Sequence, residues 1–127
     1  MKIEDQVCSL GLAKRLKKLG VKQRGLFFWK TDAGDHYFVA HNSRYMDSNG
    51  IIEAAAFTVA ELGELLPDSY KDIDGVWWYI GFCKHVDGRQ IITTHHLNGS
   101  HEIAMSARVE ADARAKMLIY LLENKLA

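Results

Sequence analysis

Three of the six histidines crowd into one stretch, His95, His96 and His101, and Glu102 follows the last of them. Imidazole and carboxylate are ordinary zinc ligands, and a site needs three or four of them within about 2.0 to 2.3 Å of the ion. On a strand His95 and His96 point to opposite faces. The metal set that the spacing allows is therefore His96 and His101, facing each other across an Asn98-Gly99-Ser100 turn, with Glu102 or His85 as a third ligand. No HExxH or paired CxxC spacing accompanies it, and surface histidines that hold no metal are the plainer reading. Cys8 has no histidine close in sequence to activate a thiolate and reads as a buried thiol, and Cys83, alternating within a strand rich in aromatics, reads as packing. There is no GxSxG, phosphate-binding loop, GxGxxG or recognisably spaced carboxylate pair, so neither a catalytic centre nor a cofactor is expected.

The aromatic segment VWWYIGFCKHV at 76–86 offers different chemistry. Asp87-Gly88 follows it, then RQIITTHHL at 89–97, and Asp-Gly between two strand-forming runs signals a hairpin. With a two-residue turn, Trp78, Ile80, Phe82 and Val86 share one face and Trp77, Tyr79, Cys83 and His85 the other. The same pairing sets Ile92, Thr94 and His96 beside Cys83, Gly81 and Tyr79 on that second face. Aromatic rings mixed with hydrogen-bonding tips are the composition of a surface that binds a base, a peptide or a protein. The candidate binding residues are Trp77 and Tyr79 as anchors, His85, Thr94 and His96 as polar contacts, and Arg89 as a charged rim. The competing reading is that a helix or the segment 42–56 covers this face. Gly81, in mid-strand, signals close approach by a ligand or another backbone, or a bulge.

Other elements must carry this hairpin. Leu12, Leu16 and Leu19 recur at helical spacing, which predicts an amphipathic helix from Ser9 to Leu19 stopped by Gly20. LFFWK at 26–30 and HYFVAH at 36–41 alternate as a first hairpin, followed by a polar loop at 42–50 and a short apolar piece at Ile51 and Ile52. Thr58 with Glu61 forms a capping box for a short helix that Pro67 ends. The segment 68–75 reads as a loop, 101–106 as a last strand, and 109–124 as a helix with Ala111, Ala115, Leu118 and Leu122 on one stripe. The prediction is one α+β domain: an antiparallel sheet, as two hairpins or a meander, with an N-terminal, a short middle and a C-terminal helix mainly on one face.

Composition sets outer bounds. Sixteen Lys+Arg balance sixteen Asp+Glu in 127 residues. Zero net charge argues against nucleic-acid binding as the source of affinity, and makes the run Lys14, Arg15, Lys17, Lys18, Lys22 and Arg24 read as a solvated face. No apolar run of about 18 residues exists to span a membrane. The first twenty residues lack the apolar core of a secretory signal, so a cytoplasmic protein with reduced thiols is expected.

Three stretches, DQVCSLGLAKRLKKLGVKQRGLFFW at 5–29, FTVAELGELLP at 57–67 and VEADARAKMLIYLLENKL at 109–126, resemble a group of small uncharacterised proteins encoded by bacteriophages and prophages. The resemblance brings no catalytic motif. It implies an accessory protein in the host cytoplasm, of the kind that antagonises a host defence component such as a nuclease. Three function classes follow. In the first, a non-enzymatic protein binds a host protein through the aromatic face of the 76–97 hairpin. In the second, a sponge sequesters a nucleotide, stacking its base on those aromatics and holding its phosphate with Arg44, Arg89 or Lys84. In the third, a metal-dependent hydrolase uses His96, His101 and Glu102. A homodimer is a further expectation, since sheet edges must be paired or protected.

Overall fold

In a computed structural model, which describes residues 2–32, 36–41, 51–96 and 101–127 and not the side chains of His101 and Glu102, the first amphipathic segment forms helix α1 (Leu10–Lys18). Ala13 and Leu16 are its buried positions. Its stop is the one the sequence signals. Gly20 takes φ +92°, its N–H donates to the Lys17 carbonyl, and the N–H of Val21 donates to the Leu16 carbonyl at 3.1 Å. These bonds satisfy carbonyls that the helix end leaves open. Ser9 stands at the N-cap position, but its hydroxyl caps nothing. Its backbone N–H donates instead to Asp112 Oδ1 at 2.7 Å, a link to the far end of the chain.

Strand β1 (Phe27–Asp32) pairs with β2 (His36–His41) as the first predicted hairpin, and its other edge pairs with β3 (Ile51–Ala55). The apolar piece at Ile51 and Ile52 is thus a full strand that makes β1 central. Helix α2 (Val59–Leu65) starts on the predicted capping box: Glu61 N–H donates to Thr58 Oγ1 at 3.3 Å, and Thr58 N–H donates to Glu61 Oε1 at 2.9 Å. The segment expected as a loop after Pro67 contains β4 (Ser69–Lys71). Then β5 (Trp77–Lys84), β6 (Gln90–His95) and β7 (His101–Ala107) follow in an antiparallel meander, and helix α3 (Glu110–Glu123) comes last.

The α+β class stands, but the strands form two sheets rather than one, β2-β1-β3 and β4-β5-β6-β7. Helices fill the space between them. Helix α3 packs on β6 and β7 and also against α1 and α2, while α1 packs on β3. This explains why α3 buries Ala111, Ala113, Ala115, Met117, Leu118, Ile119 and Leu121, far more than one stripe. Trp29 ties the first sheet to the centre, its indole Nε1–H donating to the Cys8 carbonyl at 2.9 Å.

Leu121 is fully buried in this layer. Leu121→Ala is expected to lower stability by about 2–5 kcal/mol, read as a fall in the urea midpoint at unchanged slope. Leu122→Ala, at a partly exposed position on the same helix, should cost clearly less. Equal losses from the two would mean that α3 does not occupy the interior.

Candidate functional site

The faces of the β5–β6 hairpin depend on the residue count of its turn. His85 N–H donates to the Arg89 carbonyl at 2.8 Å and Gly88 N–H to the His85 carbonyl at 2.9 Å, with Gly88 at φ +93°. The loop is therefore Val86-Asp87-Gly88, a type I turn closed by a glycine in the left-handed region. Three residues, not two, make the turn. Tyr79 consequently pairs with His95, Gly81 with Thr93 and Cys83 with Ile91. A one-residue slip exchanges the faces of a strand. The turn before β5 has the same form: Asp72 N–H donates to the Val76 carbonyl, Gly75 N–H to the Asp72 carbonyl, and Gly75 sits at φ +81°.

This register corrects the expected site. Ile92 and Thr94 lie on the inner face beneath α3, 1% and 0% exposed, and cannot join Trp77 and Tyr79. Thr94 has a structural partner instead, its Oγ1 accepting from the Ile103 N–H at 3.1 Å. His96 packs edge-on against Trp78, ring centroids 5.7 Å apart, so it too leaves the predicted face. Cys83, expected to pack, is exposed.

What remains outside is coherent. Trp77 is 49% and Tyr79 37% exposed, in β-strand alternation with the inward Trp78 and Ile80. Lys71 Nζ lies 5.8 Å from the centre of the Trp77 ring. Beside Tyr79 the His95 ring leans over Gly81, where a Cβ would come within 2.7 Å of its Cε1. Gly81 therefore makes room for a neighbouring imidazole. Sequence reasoning missed His95 and Lys71 as members of this face. A Val-Asp-Gly turn signal in place of Asp-Gly would have found His95.

Two aspartates hold the ends of the face. Asp72 Oδ2 accepts from the Trp78 indole N–H at 2.8 Å and Oδ1 from the N–H groups of Val76 and Asp74. These donors, the indole first, hold its carboxyl below the usual range. Asp87 accepts from the Arg89 N–H at 3.0 Å and from Arg89 Nε at 2.8 Å, and lies 3.1 Å from His85 Nδ1. The Arg89 N–H foremost holds the Asp87 carboxyl low. His85 and Arg89 are thus engaged with the turn carboxylate and stand at the end of the hairpin.

The metal candidates lie in a different register from the one expected. His101 stands opposite His95, not His96. The turn at 98–100 and Arg44 lie outside the described residues, as do the side chains of His101 and Glu102. Among the described residues no group of three His, Cys, Asp or Glu converges. The basic run of α1 meets acids: Arg15 bonds Glu123 at 2.7 Å, Lys14 lies 4.0 Å from Glu53, and Lys17 Nζ donates to the Glu53 carbonyl.

A cavity of about 610 Å³ lies where the starts of α2 and α3 meet Gln90, Arg108 and Asp5. A smaller one of about 200 Å³ runs between Phe82 and Arg114, whose guanidinium sits 5.0 Å from the Phe82 ring centre. Neither is lined by Trp77 or Tyr79. Among the described residues no helix is long and apolar enough to cross a membrane. Compared with protein-family models, with curated proteins and with solved structures, the chain matches none.

The two thiols should separate chemically. Burial pushes the Cys8 thiol up to about 12, whereas Cys83 is exposed. Near neutral pH a disulfide reagent is expected to label Cys83 rapidly and Cys8 only on unfolding. An unfolded Cys8 thiol releases its proton near 9.0 and the folded one near 12. The native state therefore holds the extra proton between those values, and stability should fall as pH rises through that window. A Cys8→Ala variant whose alkaline unfolding profile matched wild type would show that Cys8 is not responsible.

Proposed function

We propose that this chain is a non-enzymatic binding protein that acts through the outer face of the four-stranded sheet, and that its target is a host protein, such as a defence nuclease, in the host cytoplasm. The observation that carries the reading is the pair Trp77 and Tyr79, large aromatics half exposed on a sheet face that no described helix covers. Such residues are enriched among the anchors of protein interfaces, where each fills a pocket and sheds water. Lys71 and His95 give the patch polar edges. The patch is an extended sheet surface rather than a pocket, and Arg89, one of the three cations expected to hold a phosphate, is spent on Asp87. Both points favour a protein over a nucleotide. The host target rests on the resemblance to phage-encoded proteins.

The roles change with the register. Trp77 and Tyr79 act as anchors, His95 replaces Thr94 and His96 as their polar neighbour, and Lys71 takes the rim position that Arg89 vacates.

Affinity capture from host lysate with wild type beside Trp77→Ala/Tyr79→Ala tests the reading. Both side chains point to solvent, so the variant should keep its circular dichroism spectrum. Truncating an anchor by about 2 kcal/mol weakens binding about 30-fold, and the specific partner is expected to disappear from the variant's capture. A partner retained by the folded variant would remove this face from the proposal. A nucleotide carried by the native protein, seen by native mass spectrometry with no protein captured, would replace it with the sponge.

A further inference from the structure

The edge of the same sheet carries a second surface, separate from the aromatic face. The Ile103 N–H donates to Thr94 Oγ1 on β6, so the backbone groups of Ile103, Met105 and Ala107 point inward along the ladder. The Ser106 carbonyl accepts instead from Lys116 Nζ at 2.9 Å, below the sheet. Both bonds agree on one parity. Ala104 and Ser106 turn their N–H and C=O groups outward, and β7 is the last strand in its sheet. An edge of unpaired donors and acceptors is a template for another strand, which proteins usually blunt with proline, charge or a covering segment. From Ile103 to Ala107 the sequence Ile-Ala-Met-Ser-Ala contains neither proline nor charge. The shield among the described residues is one lysine on one carbonyl. Below the edge runs a groove of about 320 Å³ whose apolar lining is Leu12, Met105, Ile119 and Tyr120.

We propose that β7 is where two copies of this chain associate, strand to strand and antiparallel, about a two-fold axis at Met105. In that register Ala104 exchanges both backbone bonds with the partner's Ser106, and Ser106 with the partner's Ala104. Lys116 Nζ gives up the Ser106 carbonyl to the incoming N–H. The Met105 side chains meet in the narrow pair on the inner side, where they close the groove over Ile119 and Tyr120. The observations favour a second copy in three ways. An antiparallel edge is complementary to itself under a two-fold rotation. The exposed side chains at its centre, Ala104 and Ser106, are small and uncharged, so no like charges oppose one another across the axis. Zero net charge leaves no long-range repulsion between copies.

Sedimentation velocity on the full chain over a concentration series, with Ala104→Pro and Ala104→Lys, tests the proposal. Proline at 104 removes an outward N–H and spares the β6–β7 ladder. The lysine variant keeps the backbone intact and sets like charges close together across the axis. Wild type is expected to dimerise reversibly, and each variant that keeps its circular dichroism spectrum should raise the dimer dissociation constant by at least about tenfold. A monomer throughout the series would overturn the proposal, and so would a dimer indifferent to both variants. A dimer broken by Trp77→Ala/Tyr79→Ala but not by the edge variants would place the interface on the aromatic face and likewise overturn it.

Discussion

Two sheets that share no paired strand cohere through the helices packed between them, α3 on β6 and β7 and against α1, and α1 on β3. Along α3 only Lys116 and Glu123 are exposed, a narrow solvated stripe. Alanines at 111, 113 and 115 let neighbouring backbones come close at its start, and Met117, Leu118, Ile119 and Leu121 fill the wider space beyond. The polar fastenings lie toward its ends. Asp112 receives the Ser9 N–H where both helices begin, and Glu123 holds Arg15 where they finish, so α1 and α3 run in the same sense. Such exposed contacts contribute little energy, but they fix how the helices align. The first sheet reaches the centre through α1, through Trp29 on the Cys8 carbonyl and through Gln23, whose Oε1 accepts the Ala55 N–H at 2.7 Å.

The same arrangement decides which surface is free. Because α3 occupies the inner side of β6 and β7, Ile92 and Thr94 become core and no described helix covers the opposite side of those strands. Thr94 shows how a polar residue is kept there, its hydroxyl bonded to the backbone of β7 where the ladder is irregular. Phe82, at the far end of the inner face, is only partly covered and is backed by the Arg114 guanidinium.

Legibility in the sequence followed the range of the signal. Gly20, the Thr58-Glu61 box and the dense helix formers of 110–123 act within one or two turns, and each was readable. Strand β4 was not, since three residues carry no period and its existence depends on pairing with β5. The division into two sheets was equally hidden, because nothing local says that β3 returns to β1 rather than joining the later strands. At the candidate site the aromatics Trp77 and Tyr79 were legible from strand alternation, but their neighbours were not. A single β-branched residue, Val86, reads as strand and sits at a loop tip, 99% exposed. That one residue reverses the parity of β6 and exchanges Thr94 and His96 for His95. Ile73 repeats the pattern in the turn before β5, at 98% exposure.

The place of α3 in the chain also bears on synthesis. Every strand that this helix covers is translated before it, so on the ribosome the inner faces of β6 and β7 have no apolar cover until residues 110–123 emerge. Vectorial folding, element by element from the first residue, is therefore closed to this topology. The meander must wait with Ile92 and its edge open to solvent, and the cooperative step comes only once α3 has emerged. A message truncated before that helix would yield a chain able to form hairpins and unable to bury them.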